Sequence, residues 1–270
     1  MLFGLATTAQ TAGWQSYVAP VANARRTGTA STNASLSWTA NSGATTSTSQ
    51  FKFGTASEQL TSQSADINSA STTIGGVGTN DFTIECFVYI DSLSNHSASC
   101  DVYSHDTSYG LGVRLAQGYN TNALSSVSPQ YIAIFARQQA DLDYWNLGSS
   151  WPTGQWNFIA IQRKSTVISC WINGTLLTRN NGSNGSANGY TFDTSSASLR
   201  IGTADGSNGL GPSSSAAYID EFCLSNTYRY TDTAANIPVP TAAFTVDSYT
   251  TQLMHMDGSN GGTTFTNATS

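Results

Sequence analysis

Short runs of alternating apolar and polar residues, separated by turns rich in Gly, Asn and Ser, constrain the fold of this chain most. In DFTIECFVYI, Phe82, Ile84 and Cys86 point to one face of a strand, while Thr83 and Glu85 point to the other. Strands at such short intervals, without helical crossovers, predict an all-β, two-sheet antiparallel sandwich. Further runs of this kind are QYIAIFARQ (130–138), WNFIAIQRK (156–164), LRIGTADG (199–206) and YIDEFCLSNTYRYT (218–231).

Two details of these runs sharpen the prediction. The second face of the run at 82–90 carries Phe87 and Tyr89, so we expect this strand to be central and covered on both faces. Asn173-Gly174 lies between two apolar runs, and both residue types tolerate the positive φ of a type I′ turn. The pair therefore predicts a β-hairpin.

Composition excludes several classes of partner. Of the 270 residues only 10% are charged, against about 25% in typical soluble domains. The net charge of −6 argues against nucleic acid as a partner. No apolar run approaches the ~20 residues of a membrane span, so we expect no membrane insertion. Lysine occurs only at Lys52 and Lys164, and a surface so poor in lysine suits contact with copies of itself or another protein.

The cysteines favour a reducing compartment. Cys86, Cys100, Cys170 and Cys223 follow no metal-ligand spacing, and we expect buried free thiols. A disulfide between Cys86 and Cys223 is the alternative. The start of the chain has no basic region and a short apolar stretch, unlike a signal peptide. Both features favour assembly in a cytoplasm over secretion.

The N-terminal region, residues 1–48, is predicted to be an extended docking arm. Residues 1–50 contain no Asp or Glu, so this part carries +2 and the remainder −8. A segment so rich in Ser and Thr buries too little apolar area to order itself alone. Its aromatic residues favour docking on its own sandwich or on a neighbouring subunit, with a flexible linker as the alternative. The predicted anchoring residues are Phe3, Trp14, Tyr17, Arg25 and Arg26.

Catalytic motifs are missing from the sequence. Glycanases of sandwich folds need carboxylates that face the same way along a strand, and no E-x-D-x-E pattern occurs. Asp220 and Glu221 are adjacent, so regular alternation places them on opposite faces. Asp141 and Asp143 lie in ADLDYWN, which is predicted to be a loop. No GxSxG motif and no phosphate-binding glycine loop is present. We therefore predict a protein that is not an enzyme.

One cluster has the composition of a carbohydrate-binding site. Aromatic faces stack on sugar rings, and amides orient hydroxyl groups. The predicted site consists of Tyr144, Trp145, Asn146 and Trp151, with packing in the core as the alternative.

The order of motifs resembles a concanavalin A-like jelly roll of the laminin G/pentraxin type, as found in virion structural proteins of marine tailed phages. The resemblance covers residues 49–270. The motifs that carry it, in order, are SQFKFGTASEQLTSQ, DFTIECFVYID, GLGVRL, GQWNFIAIQR, ISCWINGTLL, LRIGTADG and YIDEFCLSNTYRYT, followed by a tail with TQLMHMDG.

The resemblance implies a sandwich over residues 49–270, whose C-terminal strand at 250–257 closes its own sheet or pairs with a neighbour. It also implies a calcium site at the sandwich rim. The candidate ligands are Asp220, Asp205 and Glu58, with turn capping as the alternative role of these carboxylates. No other cofactor is expected.

The function implied is that of a non-enzymatic structural protein of a phage virion, assembled in the host cytoplasm. A capsid decoration (cement) protein, or an accessory tail or fibre protein, anchored by its arm, is expected. Its partners would be capsid or tail proteins and copies of itself. The alternative is a lectin-like adhesion module that binds host surface glycans.

Overall fold

The computed structural model describes residues 24–28, 36–93, 100–116, 130–138, 141–181, 186–204, 208–212, 216–231 and 234–268. Within those ranges there are sixteen strands and no helix, so none that is long and apolar enough to cross a membrane. The strands are β1 Trp38–Asn41, β2 Ala44–Ser47, β3 Ser57–Leu60, β4 Asp66–Ser69, β5 Phe82–Ile90, β6 Cys100–His105, β7 Leu111–Ala116, β8 Tyr131–Ala136, β9 Asp141–Asn146, β10 Trp156–Lys164, β11 Val167–Ile172, β12 Thr175–Leu176, β13 Thr178–Asn181, β14 Leu199–Ile201, β15 Ala217–Ser225 and β16 Thr250–Met254.

These strands form two antiparallel sheets that stack as a sandwich. The first sheet has the order β1-β4-β14-β6-β7-β8-β9-β13. The second has the order β12-β11-β10-β5-β15-β3-β2, and β16 pairs with β15 beside this path. The predicted all-β jelly-roll sandwich is confirmed. The hairpin at Asn173-Gly174 is also present between β11 and β12, with φ of 48° and 82° at its two central residues.

The main core lies between the sheets and is built by alternation. Along β5, Phe82, Ile84 and Cys86 point into this core, and all nine residues of the strand are buried. Phe87 points to the opposite face of the second sheet, where it joins a second group of buried side chains. The prediction of a central strand covered on both faces is therefore confirmed. We call the second group the outer cluster: Phe87, Phe158, Ala160, Trp171, Cys223, Tyr230, Ala234, Ile237, Phe244 and Leu253.

The chain after β15 covers the outer cluster, and a buried ion pair fixes it. Arg229 is fully buried and donates to both carboxylate oxygens of Asp247, at 2.6 and 2.8 Å. Burial alone would raise the pKa of Asp247, but hydrogen bonds from Arg229 and from the Gly28 N–H hold that pKa well below its ordinary value. Breaking such a buried pair by removing one partner costs about 3–5 kcal/mol.

The C-terminal segment 257–268 runs along the edges of β2 and β16 in the second sheet. The N–H of Thr46 in β2 donates to Gly262 O at 2.8 Å, and the Gly261 N–H donates to Thr46 O at 2.7 Å. On β16, the carbonyl of Leu253 accepts from the Ala268 N–H at 2.8 Å. An unpaired strand edge attracts other chains, so these hydrogen bonds protect the sheet.

Two boundaries and one loop are corrected by the structure. β1 and β2 belong to the two sheets, so the sandwich begins at Trp38 rather than at residue 49. The C-terminal strand, expected over 250–257, ends at Met254, and as β16 it pairs with β15 of its own sheet. The loop-like stretch ADLDYWN forms strand β9 instead, because it pairs with β8 on one side and β13 on the other.

The four cysteines are buried free thiols, as the sequence predicts. Cys86 lies in the main core, while Cys223 belongs to the outer cluster on the other face of the same sheet. The alternative of a Cys86–Cys223 disulfide is therefore wrong.

Candidate functional site

The predicted carbohydrate cluster does not form a sugar-binding surface. Trp145 and Trp151 are 1% and 2% exposed and pack in the main core, so neither indole face can stack on a ligand. Tyr144 points to the outer face of the first sheet, where its ring meets that of Tyr131 edge-on at 4.9 Å. The Oδ1 of Asn146 accepts from the Gly148 N–H at 2.6 Å and closes a turn. Side chains alternate along β9, so Trp145 faces the core while its sequence neighbour Tyr144 faces outward.

The two predicted calcium ligands that the structure describes, Asp220 and Glu58, do not converge. Asp220 lies on the outer face of the second sheet, where its Oδ2 accepts the Lys52 and Phe53 N–H groups at 2.7 and 3.1 Å. Glu58 lies on the same face of β3 as Leu60 of the core, so it points between the sheets. Asp205 lies outside the described residues. In the part of the chain that the structure describes, no three His, Cys, Asp or Glu side chains are grouped as metal ligands.

A β-bulge in β15 overturns the expectation that Asp220 and Glu221 face opposite sides. The register against β5 shifts between Asp220 and Cys223, and Glu221 takes a φ of 52°. Both carboxylates therefore lie on the outer side, where Glu221 meets His255 Nδ1 at 2.7 Å and accepts the Phe244 N–H at 2.7 Å. Burial, with a smaller contribution from Glu221, raises the pKa of Asp220 to about 7. This carboxyl titrates near neutral pH but is sealed from solvent, so no substrate reaches it.

Four arginines form ion pairs with four aspartates in or beside the first sheet, and Arg200 pairs with Asp106 at 2.9 Å as well. Each ion pair joins a largely buried carboxylate to an arginine whose side chain is about one-quarter exposed or less. Each of these carboxylates is paired with an arginine, and they do not form a catalytic pair that faces a cleft. The pairs are Arg114–Asp101 at 2.9 Å, Arg137–Asp106 at 2.8 Å, Arg179–Asp143 at 2.8 Å and Arg200–Asp66 at 2.9 Å.

Part of the predicted arm lies docked on the sandwich. Arg25 forms an ion pair with the buried Glu85, and Arg26 donates to the Tyr228 carbonyl at 3.0 Å. The other predicted anchors, Phe3, Trp14 and Tyr17, lie outside the described residues.

The clearest candidate binding site is an open groove of ≈ 650 Å³ between the loop 106–110 and the segment 190–194. Tyr109 is 50% exposed at its rim. Tyr190 is half-buried, and its ring packs against Phe192 at 5.0 Å between centroids. We call this site the tyrosine groove; its lining residues are Ser108, Tyr109, Tyr190, Thr191, Phe192, Asp193 and Thr194.

The backbone is strained at one lining residue of the tyrosine groove, Tyr109, and at Gln138, which contacts the groove residue Ser108. Tyr109 and Gln138 have φ of 66° and 65°, in the left-handed region that favours glycine. Hydrogen bonds hold Tyr109 there, because its N–H donates to Arg137 O at 3.0 Å and its carbonyl accepts the Asp193 N–H at 3.1 Å. Gln138 accepts from the Ser108 hydroxyl at 2.9 Å. Such strain costs about 1–3 kcal/mol per residue and concentrates at functional sites.

Asp193 supplies a fixed negative charge at the groove. Its pKa is lowered to about 2, chiefly by the hydrogen bond from the Thr107 hydroxyl and further by the Ser195 N–H and hydroxyl. Both of the Ser195 bonds reach Oδ1 at 2.9 Å. Asp193 is therefore an ionised acceptor at neutral pH rather than a general acid. Together with the two tyrosine rings, it suits a ligand with a flat apolar face and hydroxyl groups.

Sequence reasoning missed this groove because its two walls are more than 80 residues apart in the chain. The local signals are weak: an exposed tyrosine before Gly110, and the run GYTFD after a long Gly/Asn-rich stretch. Neither points to a ligand without the pairing of β6, β7 and β14 that brings the loops together.

A family model described as the concanavalin A-like lectin/glucanases superfamily matches residues 60–235, about two-thirds of the chain. The chain belongs to the concanavalin A-like lectin/glucanase superfamily. No curated protein sequence matches it. The predicted family is therefore confirmed.

Solved structures with the same fold have low sequence identity to this superfamily member. The full-length tailspike protein 2 from Escherichia coli O157:H7 bacteriophage CAB120 has a TM-score of 0.50 at 15% identity, over 87% of this chain and 31% of the tailspike. Domain 4 of AbnA, a GH43 extracellular arabinanase from Geobacillus stearothermophilus, in complex with arabinotriose, has a TM-score of 0.48 at 16% identity, over 77% of this chain and 96% of that domain. A heptameric SAP-like pentraxin from Limulus polyphemus has a TM-score of 0.45 at 10% identity, over 87% of this chain and 94% of that one. The similarity to the tailspike shows a shared fold and nothing further.

Proposed function

We propose that this chain is a non-enzymatic structural protein of a phage virion, a decoration protein of the capsid or an accessory protein of the tail. The sandwich is the rigid block, and the N-terminal arm attaches it to the particle. The docking of residues 24–28 on the second sheet carries the proposal, because it fixes the position at which the N-terminal arm is attached to the sandwich.

The distribution of ionisable groups supports a role without catalysis. The buried carboxylates described above bind arginines, backbone amides or His255. Asp220, whose pKa is near neutrality, is sealed from solvent, and Asp193, which is accessible, stays ionised. General acid catalysis needs an accessible group that holds a proton near neutral pH, and neither of these two carboxyls is such a group. The fold also occurs within a phage tailspike, so a virion protein can accommodate it.

The test is particle incorporation of a chain that lacks residues 2–23 but keeps the docked Arg25 and Arg26. We expect thermal unfolding close to that of the intact chain, because the described contacts remain, and loss of the protein from purified particles. The matched control is Tyr131→Ala, a change on the sandwich surface that leaves the arm intact. Full incorporation of the shortened chain would show that the arm is not the anchor.

A second function, recognition of glycans by the tyrosine groove, is favoured by the strained and exposed Tyr109. A protein that keeps a half-exposed aromatic ring on left-handed backbone at a groove has the geometry of a stacking platform for a sugar ring. Tyr190 forms the facing wall, and Asp193 accepts from hydroxyl groups. This site replaces the Trp145 cluster as the candidate for the lectin-like function.

The glycan function is tested on an array with the intact chain and two tyrosine variants. Tyr109→Ala removes the ring from the groove, whereas Tyr131→Ala removes a partly buried tyrosine from the outer face of the first sheet. We expect Tyr109→Ala to weaken binding by about tenfold or more, the equivalent of 1.4 kcal/mol, and Tyr131→Ala to retain it. An array without signal for the intact chain would remove this function and leave the structural role untouched.

A further inference from the structure

The docked segment Ala24–Gly28 occupies a built receptor site on the second sheet. The Arg25 guanidinium donates to both oxygens of Glu85 at 2.8–3.0 Å and lies 5.0 Å from the centroid of the Phe244 ring. Arg26 lies 4.0 Å from the centroid of Tyr228 and donates to the carbonyl of the same residue. We call this site the arm receptor.

The arm receptor binds residues 24–28 through groups that are distant from them in the sequence. The Arg26 N–H donates to Arg229 O at 2.7 Å, and Arg229 donates back to Arg26 O at 2.9 Å. The Gly28 N–H donates to Asp247 at 2.9 Å. In the described chain the partners of this segment lie at Glu85 or beyond residue 222. The same segment of another copy can therefore form each of these bonds unchanged.

Leaving the arm receptor empty is energetically unfavourable. Glu85 is 0% exposed, and apart from Arg25 its described hydrogen-bond donor is the Tyr230 hydroxyl at 2.6 Å. A buried carboxylate without a cation is strongly destabilising. When a copy's own segment leaves, an arginine from elsewhere must replace it or the site must open to water.

We propose that the arm receptor also binds residues 24–28 of a second copy of this chain, so that neighbouring copies are linked by exchanged arms. The low surface charge of the chain, with 10% charged residues, opposes such an association little. Exchange of an identical element adds no new contact and therefore has a low cost in free energy. The proposal concerns copies in solution and does not depend on the virion role.

The test uses two variants of the full chain with one added cysteine each, Gly28→Cys and Ser248→Cys. A Cβ at Gly28 would lie 2.1 Å from the Ser248 Oγ, so the two positions adjoin in the docked state. The variants are mixed, refolded together, oxidised and run on a denaturing gel without reductant after the remaining thiols are blocked. We expect a linked heterodimer that reduction abolishes and that is largely lost when Arg25→Ala is added to the Gly28→Cys chain.

Two outcomes of the cross-linking would overturn the proposal. The first uses a chain that carries both Gly28→Cys and Ser248→Cys. If this chain forms the disulfide within itself but the mixture of the two single variants forms no heterodimer, the segment docks only on its own chain. The other is a heterodimer whose yield Arg25→Ala leaves unchanged, which would indicate random collision.

A second measurement avoids the added cysteines, whose side chains are crowded at this site. A synthetic peptide of residues 21–31 is titrated into the full-length Arg25→Ala chain, and the thermal midpoint is followed. We expect the peptide to raise the midpoint, and the same peptide with both arginines replaced by alanine to leave it unchanged. No shift with the native peptide would show that the arm receptor does not accept a segment in trans.

Discussion

Replacing Arg25 by alanine should destabilise the fold much more than the same change at its neighbour Arg26. Arg25 holds the fully buried Glu85, and its own side chain is only 15% exposed. Removing one partner of a buried ion pair costs about 3–5 kcal/mol. Local opening of the segment would let water reach Glu85 and limit the loss. We therefore expect about 3 kcal/mol for Arg25→Ala.

Arg26→Ala is the matched control, since it removes a cation from the same segment. Arg26 donates to the Tyr228 carbonyl and to the Thr227 hydroxyl at 3.0 and 3.3 Å, so no buried charge loses its partner. Hydrogen bonds of this kind contribute about 1 kcal/mol net. The difference of about 2 kcal/mol between the two variants isolates the uncompensated charge of Glu85 from the loss of docking contacts.

The assay is equilibrium unfolding in urea at pH 7 for both single variants and for Arg25→Ala combined with Glu85→Gln. An amide at position 85 removes the buried charge, so the double variant should recover at least about 1 kcal/mol relative to Arg25→Ala. Equal losses for Arg25→Ala and Arg26→Ala, or no recovery with Glu85→Gln, would refute the assignment of Arg25 as the counter-charge of Glu85.

Three further predictions test the core, a buried carboxyl and the hairpin. Trp145→Ala should cost about 3–5 kcal/mol in urea unfolding because it empties a core site, whereas Tyr144→Ala should cost about 1 kcal/mol; equal losses would contradict the buried position of Trp145. Because burial raises the pKa of Asp220 from 3.8 to about 7, the folded chain keeps a proton that the unfolded chain releases between those pH values. Its contribution to stability is therefore present at low pH and falls as pH rises through this window, by on the order of 4 kcal/mol at most; Asp220→Asn should lack this fall in unfolding measured at pH 4.5, 6 and 7.5. Gly174→Ala should cost more than the ~1 kcal/mol of left-handed strain because its Cβ would lie 2.5 Å from the Ile237 carbonyl, while Gly148→Ala, with φ of 73° and open space, should cost that strain alone; similar thermal midpoints for the two variants would contradict this packing.

The sequence predicts those parts of the fold that are determined by residues close together in the chain. Alternation along β5 gives its two buried faces, and Asn173-Gly174 gives the hairpin, because both features are encoded within a few residues. β9 was missed for the opposite reason. Asp143 makes the run look like a loop, and its burial depends on Arg179, which lies 36 residues later in the chain.

The β-bulge in β15 and the tyrosine groove could not be predicted from the sequence, because both depend on contacts between distant parts of the chain. Glu221 adopts a left-handed φ without being glycine, so no local signal reveals that it shares a side with Asp220. The tyrosine groove needs Tyr109 and Tyr190 on neighbouring loops, and their approach is fixed by sheet register rather than by spacing in sequence. Composition shows that aromatic residues are available, but the tertiary structure decides which of them meet solvent.

The segment 257–268 protects two strand edges of the second sheet. Its backbone hydrogen-bonds to Thr46 of β2 and to Leu253 of β16, so a proteolytic cut near Asp257 that released it would expose both edges at once. Chains clipped there would stick to each other through sheet extension while most of their native fold persisted. The segment 257–268 thus limits sheet-to-sheet association between copies of a chain in which only 10% of the residues are charged.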